Sequence, residues 1–304
     1  MLTCGARASA CVSDSQKLRY FLWAGAQMWS DRDVGCPGCG SSKTREVRKK
    51  YLVTSLWECG CCGLRFRVPK DDESQSQEFY QRSYSAGFTT DLPSPEALNE
   101  LRAKGFTGSE KDFKPYISVL NCLGLKSGDT LLDFGSSWGY GSWQLRQYGF
   151  TVLSYEISVP RADYARTALG CEMVGSFADL RGRIECLFSS HVIEHLPRPD
   201  VLWEIAKEVL VDDGLIVCFC PNGEPQRESR LGRRKYDNAW GKVHPLMVTP
   251  KFLINRSAFH GFAACTYSTP YNPDNIGCYK SDHEVIGDEL CMVARRTSAR
   301  CSCS

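Results

Sequence analysis

The chain of 304 residues has no apolar run approaching the roughly 18 residues of a membrane-spanning helix, which excludes such a span from the sequence reading. It also lacks an excess of charge. The 37 Lys and Arg residues against 35 Asp and Glu leave a formal charge of +2, so no global field marks nucleic acid or an anionic membrane as the partner. No signal peptide is expected either: Ala8-Ser9-Ala10-Cys11 has the shape of a lipoprotein cleavage box, but no apolar stretch precedes it. Although the chain has 17 cysteines, the number is odd and the spacing is not that of a small disulfide framework. Cys218 and Cys220 sit in the apolar run GLIVCFC, where Cys behaves as a small hydrophobe. A reducing, cytoplasmic compartment is expected. No internal repeat is visible.

What is present divides into regions. Residues 1–34 carry no periodic pattern and are expected to be irregular, with Met28 a candidate chain start. Residues 35–69 form a compact cysteine module. Residues 70–112 read as a linker and helical lead-in: the polar run from Lys70 to Gln77 leads into a helix near 78–83, and ALNELRAKG follows Pro93 and Pro95 and ends at Gly105. From 113 to 296 strand and helix patterns alternate, and 297–304 is a tail. Helices are expected at 116–123, 139–148, 160–169, 200–210 and 250–260, the fourth stopped by Asp212-Asp213-Gly214. Strands are expected at 130–134, 151–156, 172–174, 184–189 and 214–220, with a closing pair at 262–268 and 289–295. Short apolar runs separated by helices imply an α/β fold with a doubly wound, mostly parallel sheet covered on both faces.

Two motifs carry chemistry. Cys36-Pro-Gly-Cys39 and Cys59-Gly-Cys61-Cys62 give CxxC, 19 intervening residues, then CxxC. Two residues between thiolates let both reach one ion from a tight turn, and two such knuckles complete a tetrahedral zinc site. The expected ligands are Cys36, Cys39, Cys59 and Cys62, with Cys61 an alternative to Cys62. Four thiolates leave zinc no open position, so the ion would be structural. Lys43, Arg45, Arg48, Lys49 and Lys50 make the intervening hairpin basic, either as a solvated face or as a local nucleic-acid contact.

The second motif is Leu131-Leu-Asp-Phe-Gly-Ser-Ser-Trp-Gly-Tyr-Gly141. A buried strand ends at Asp133, and the small residues after it let the backbone turn tightly into a helix at the carboxyl edge of the sheet, where ligands of such folds bind. The next strand ends at Glu156, 23 residues after Asp133 and placed to accept hydrogen bonds from ribose hydroxyls. The glycines at 135, 139 and 141 do not have the GxGxxG spacing of a dinucleotide oxidoreductase.

DFGSSWGYG, then SYEIS, FSSHVIEHLPRP and DDGLIVCFCPN together resemble the successive motifs of class I methyltransferases that use S-adenosylmethionine (SAM). The most similar subgroup carries an N-terminal CPxCG…CxxCGLxF module, and many of its members are associated with polysaccharide or small-molecule biosynthesis. The resemblance spans about 36–296 and implies a seven-stranded sheet with SAM as cofactor. It also implies roles for single residues. Gly135, Ser137 and Gly139 would line the methionine part of SAM, with Asp133 supporting the loop. Glu156 would hold the ribose, Asp179 would approach the adenine, and Ser189 would end the fourth strand against the cofactor. Ser137 stands where the family usually has glycine, so a different loop shape is expected.

His191-Val-Ile-Glu194-His195 also matches HxxEH, the inverted zinc-protease signature, but Pro197 and Pro199 cut short the helix that such a site needs. The family's EH pair after the fourth strand explains Glu194 and His195 more simply. For a hydroxyl acceptor a general base is required. His191 is the first candidate because it follows a strand's carboxyl end, with His195 and His244 next. Each has the alternative role of a hydrogen-bonded structural histidine. Arg227, Arg230, Arg233, Arg234 and Lys235 follow the fifth strand and either hold an anionic group of the acceptor or form a solvated lid. Tyr236, Trp240 and His244 lie beyond, where they could pack on a sugar ring. No Asp/Asn-Pro-Pro-aromatic motif points to methylation of nucleobase amino groups. The expected activity is O-methylation of a saccharide or other small-molecule acceptor, with nucleic acid not the expected partner. An RNA methyltransferase with a substrate-binding ribbon and a non-catalytic zinc-stabilised binding protein are the alternatives.

Overall fold

A computed structural model describes residues 34–50, 52–71, 91–272 and 285–297, together with Leu22, Gly25, Asp274 and Ile276. Most of the expected irregular N-terminus, the expected helix near 78–83 and the tail beyond Thr297 lie outside the described residues.

Two sheets share one chain. The cysteine segment folds as an antiparallel ribbon of β1 (Thr44–Lys50), β2 (Thr54–Cys59) and β3 (Arg65–Val68). Its fourth strand comes from far along the sequence: β9 (Leu246–Met247) pairs with β3, placing Phe66 opposite Leu246. Two residues give too short a periodic signal to be read from sequence, and β9 was not expected.

The larger sheet contains β4 (Thr130–Phe134), β5 (Thr151–Tyr155), β6 (Glu172–Met173), β7 (Ile184–Ser190), β8 (Leu210–Pro221), β10 (Phe262–Ser268) and β11 (Glu289–Arg296). Their order is β10-β11-β8-β7-β4-β5-β6, with β11 antiparallel to both neighbours and the rest of the pairings parallel. This is the mostly parallel seven-stranded sheet expected. Strand order reverses at β4, which has β5 on one side and β7 on the other, so a crevice opens between the loops that follow β4 and β7.

The helices follow their local signals. Ser94 caps α1 (Pro95–Ala103) by accepting from Ala97 N, and Thr249 caps α8 (Pro250–Phe259) by accepting from Phe252 N; a proline opens each. Between them lie α2 (Lys114–Cys122), α3 (Tyr140–Tyr148), α4 (Val159–Leu169), α5 (Val201–Val209), α6 (Arg227–Leu231) and α7 (Arg233–Asn238). Helix α5 buries Leu202, Trp203, Ile205, Ala206 and Val209 along one stripe. It stops at Val209, before the expected Asp212-Asp213-Gly214. Those residues lie instead within β8, where the register against β7 shifts between Ile184 and Cys186.

The core has two faces. Ile117, Val119 and Leu120 of α2 and Leu145 of α3 pack on one side of the sheet. On the other side α5 and α8 form one continuous apolar cluster with ribbon residues Cys36, Cys62, Leu64 and Phe66. The ribbon knuckles sit directly on α8. A Cβ on Gly38 would approach Phe252 to 2.5 Å, and one on Gly63 would meet Lys251 at 2.9 Å. Only glycine allows this closeness.

Candidate functional site

At the glycine-rich loop the backbone explains the sequence. Gly135, Ser137 and Gly139 have φ of +83°, +52° and +84°. Alternate residues are thus left-handed, a conformation that costs a residue with a Cβ about 1–2 kcal/mol. Gly135 and Gly139 relieve that cost. Ser137 bears it, with its backbone N–H donating to Glu156 Oε2 at 2.8 Å and its Oγ accepting from Arg161 at 2.7 Å. The loop therefore keeps the glycine-type path despite the serine. A Cβ on Gly135 would overlap Val192, which closes the crevice from the β7 side.

Asp133 is buried beneath the loop and accepts from Ser142 Oγ at 2.5 Å. Burial pushes its carboxyl up to about 7, against the opposing Ser142 bond. Glu156 accepts from Ser137 N and, at 2.7 Å, from Ser158 N, leaving lone pairs on both oxygens. Burial raises its pKa, while those two backbone bonds and Arg161 work to lower it. Asp179 lies in an exposed 3-10 turn, Ala178–Leu180, beside Phe177, whose ring is 4.7 Å from that of Tyr155. Ser189 is fully buried in β7. Among the described residues its Oγ, Ser136 Oγ and Trp138 Nε1 are buried without hydrogen-bond partners. Unpaired buried donors are costly, and two of these three, on Ser136 and Trp138, belong to the glycine-rich loop, which fits a polar cofactor there.

His191 follows β7 in a left-handed conformation, φ +57°, fixed by its N–H to Phe219 O at 2.8 Å. Its Nε2 is 2.7 Å from Glu289 Oε2 and its Nδ1 is 3.4 Å from Glu194 Oε1. The half-exposed ring thus meets a carboxylate from each nitrogen. Burial works to lower its pKa, but Glu194 and Glu289 prevail and push it up to about 10. Nε2 donates to Glu289, and the two carboxylates favour the protonated ring over the neutral imidazole base expected from sequence.

Glu289 was not singled out by sequence reasoning. It opens β11 and also accepts from Tyr116 at 2.9 Å and Tyr271 at 2.5 Å. Burial would raise its carboxyl, but His191 and the two tyrosines hold it below its ordinary value. Glu289, Tyr116, Tyr271 and Arg230 line a cavity of about 680 Å³ between α2 and the edge formed by β10 and β11. Tyr116 links it to the glycine loop: its ring is 5.0 Å from Phe113, which is 5.5 Å from Tyr140. The one available signal was direction. An antiparallel last strand begins at the edge where its parallel neighbours end, so its first residue faces the site.

The other two candidate histidines lie behind His191 and do not line that cavity. His195 is buried against Glu194, and burial lowers its pKa to about 4. His244 is half-buried, its ring 4.8 Å from that of His195. Burial alone would raise Glu194, but the three histidines hold it at about 2.

Beyond β8, three expectations need correction. Arg227 is buried, bonded to Asp288 at 2.9 Å and to Asn222 O, so it is not available to an acceptor. Tyr236 and Trp240 are core residues, 1% and 2% exposed, packed with Leu56 and Met247 rather than open to a sugar. The basic hairpin is also partly consumed. Arg48 pairs with Glu228 and Asp237, each at 2.6 Å, and Lys50 donates to Asp237 O and Trp240 O. These cations dock the ribbon onto α6 and α7, which weakens the nucleic-acid alternative.

In the ribbon, Cys36, Cys39, Cys59 and Cys62 bring their sulfurs within 4.8 Å of one another. Cys36 and Cys62 are 3.6 Å apart, Cys39 and Cys59 3.5 Å. A tetrahedron with bonds of ~2.3 Å has edges of about 3.8 Å, so the cage fits zinc. Cys61 is exposed and contacts Ser41 Oγ at 3.1 Å, which selects Cys62 as the fourth member.

The sequence matches the family model described as a methyltransferase domain over residues 109–262. No curated protein matches it significantly. Among solved structures, magnesium protoporphyrin IX methyltransferase from Synechocystis PCC 6803, with bound SAH, superposes at a TM-score of 0.50 and 13% identity, over 74% of this chain and 100% of that one. A SAM-dependent methyltransferase from Archaeoglobus fulgidus gives 0.46 at 15% identity, over 67% and 100%. One from Mesorhizobium loti gives 0.45 at 18%, over 60% and 97%. With the fold, the glycine-type loop and the matched model together, the chain belongs to the class I SAM-dependent methyltransferases.

Proposed function

We propose that the protein transfers the methyl group of SAM to a hydroxyl oxygen of a saccharide or other small metabolite held in the cavity between α2 and the edge of β10 and β11. The observation that carries this reading is Glu289, a carboxylate lining that cavity with two tyrosine hydroxyls and an imidazole gathered on it. In this reading Gly135, Ser137 and Gly139 face the methionine part of SAM and Asp133 holds the loop from below. Glu156 accepts from the ribose hydroxyls, Asp179 lies beside the adenine, and Ser189 backs the cofactor from β7. Bound SAM supplies an electrophilic methyl group, and positioning contributes most of the rate.

The acceptor hydroxyl would donate to Glu289, and its proton would pass to that carboxylate as the C–O bond forms and the methyl's bond to the sulfonium sulfur breaks, the sulfur leaving with that electron pair as a neutral thioether. His191 works through Glu289, fixing its orientation, while His195 and His244 act one step further back through Glu194. Arg230 meets an anionic group of the acceptor at the cavity wall, with Arg233, Arg234 and Lys235 exposed nearby. Cys36, Cys39, Cys59 and Cys62 bind one structural Zn²⁺ that clamps the ribbon onto α8. The compartment in this reading is cytoplasmic, in keeping with a thiolate cage.

The test is incubation with methyl-labelled SAM and pools of hydroxylated metabolites, read by mass spectrometry. A methyl ether is the expected product. Labelling on nitrogen, carbon or RNA alone would reject the hydroxyl acceptor.

A further inference from the structure

Behind the cavity, a second group of ligand-type side chains converges, separate from the thiolate cage. Glu194, His195 and His244 each offer an atom within 4.8 Å of the other two. Glu194 is 1% exposed, and among the described residues neither of its oxygens has a hydrogen-bond partner. Its neighbours are imidazoles, with His195 Nε2 at 3.8 Å and His191 Nδ1 at 3.4 Å. The His191 ring offsets part of this charge at Oε1, but Oε2 stays buried with no partner among the described residues, a position that a cation would compensate.

The two histidines are held as metal ligands commonly are. His195 Nδ1 lies 2.5 Å from Val243 O, and His244 Nδ1 lies 3.3 Å from Ala239 O. A carbonyl only accepts, so each Nδ1 carries the proton and each Nε2 keeps its lone pair, the tautomer that backbone carbonyls impose on metal-bound histidines. The segment bearing His244 is itself anchored, since Gly241 N donates to His244 O and Arg67 N to Pro245 O.

We propose that Glu194, His195 and His244 form a second metal site, for a divalent first-row cation such as Zn²⁺. Two imidazoles and a carboxylate suit zinc, cobalt, iron or manganese and not calcium or magnesium. Three protein ligands leave a coordination position open, unlike the closed thiolate cage. The ion would tie the turn after β7 to the segment before β9. His191 bridges this site to Glu289 at the cavity, so the metal would also fix the geometry of the acceptor wall. The proposal stands independently of the acceptor's identity.

The experiment replaces the native metal of the whole chain with Co²⁺ and reads stoichiometry by elemental analysis and the visible spectrum. Wild type should bind two ions: one with the strong thiolate-to-cobalt charge transfer of the cysteine cage, one with only weak nitrogen/oxygen-type bands. His195→Ala with His244→Ala should bind one ion and keep the thiolate signature. His244→Gln alone, a milder change, should weaken the second ion at least 10-fold and leave the first unchanged. One ion per wild-type chain at saturating Co²⁺, or two retained with unchanged affinity in His244→Gln, would overturn the proposal whatever the double variant does.

Discussion

The two sides of the crevice are built differently. On the β4 side the contacts are short-range in sequence: Ser142 to Asp133, Ser137 to Glu156 and Arg161 to Ser137 span 9, 19 and 24 residues. On the β7 side they are long-range: His191 to Glu289 spans 98 residues, Tyr116 to Glu289 173, and Arg48 to Glu228 180. A strand, a turn and a helix can form the first side almost alone. The second exists only once the last strand, the ribbon and α2 have all docked. In the proposed reading the cofactor sits on the locally encoded half and the acceptor on the half assembled from distant pieces.

Breaking the ribbon tests how much the long-range half depends on docking. Cys59→Ser with Cys62→Ser removes half of a cage whose ligands belong to the same apolar cluster as Phe252 and Leu253. Structural zinc is worth on the order of 10 kcal/mol in isolated zinc fingers. Thermal melts should therefore show loss of cooperative unfolding or a large fall in Tm; an unchanged melting temperature would show that the cage is idle.

The next largest effect should come from the acceptor wall. Glu289→Gln keeps the shape but removes the proton acceptor, and turnover should fall by about 10²-fold. That is the low end of the usual 10²–10⁴, because three donors already make Glu289 a weak base. SAM affinity, measured by calorimetry, should stay within about 2-fold, the two halves being separable.

On the other side, Glu156→Ala should weaken SAM binding by about 1.5–3 kcal/mol, the scale of hydrogen bonds to a charged group. Unchanged affinity in the folded variant would remove Glu156 from the ribose site. Arg230→Ala should mainly raise KM for an anionic acceptor, because ground-state and transition-state binding are lost together. The smallest effect should be Ser137→Gly. Relief of about 1–2 kcal/mol of left-handed strain offsets most of the loss of the bond from the charged Arg161, worth about 1.5–3 kcal/mol, so Tm should move by only a few degrees.

The same division decides what could be read from the sequence. TLLDF, GLIVCFC and the paired CxxC knuckles carry their structure in local pattern, so the sheet and the cysteine cage were legible. Ser137 was read as changing the loop's shape, whereas it takes the positive φ of a glycine and keeps the glycine-type path. Glu289 and Tyr271 were not legible, because neither sits in a motif and both acquire meaning only when β11 returns to the edge beside β8. Tyr236 and Trp240 misled for the reverse reason: aromatic residues after a site loop look exposed until the ribbon is known to cover them. His191 lies at the strand end, as expected, yet its two carboxylate neighbours, one of them 98 residues away, favour its protonated form over a free base.

The most direct test of the acceptor wall is single-turnover methyl transfer by wild type and Glu289→Gln, each preloaded with labelled SAM. The account predicts equal SAM occupancy in the two proteins and transfer about 10²-fold slower in the variant. Transfer at the wild-type rate from an equally loaded Glu289→Gln would contradict it.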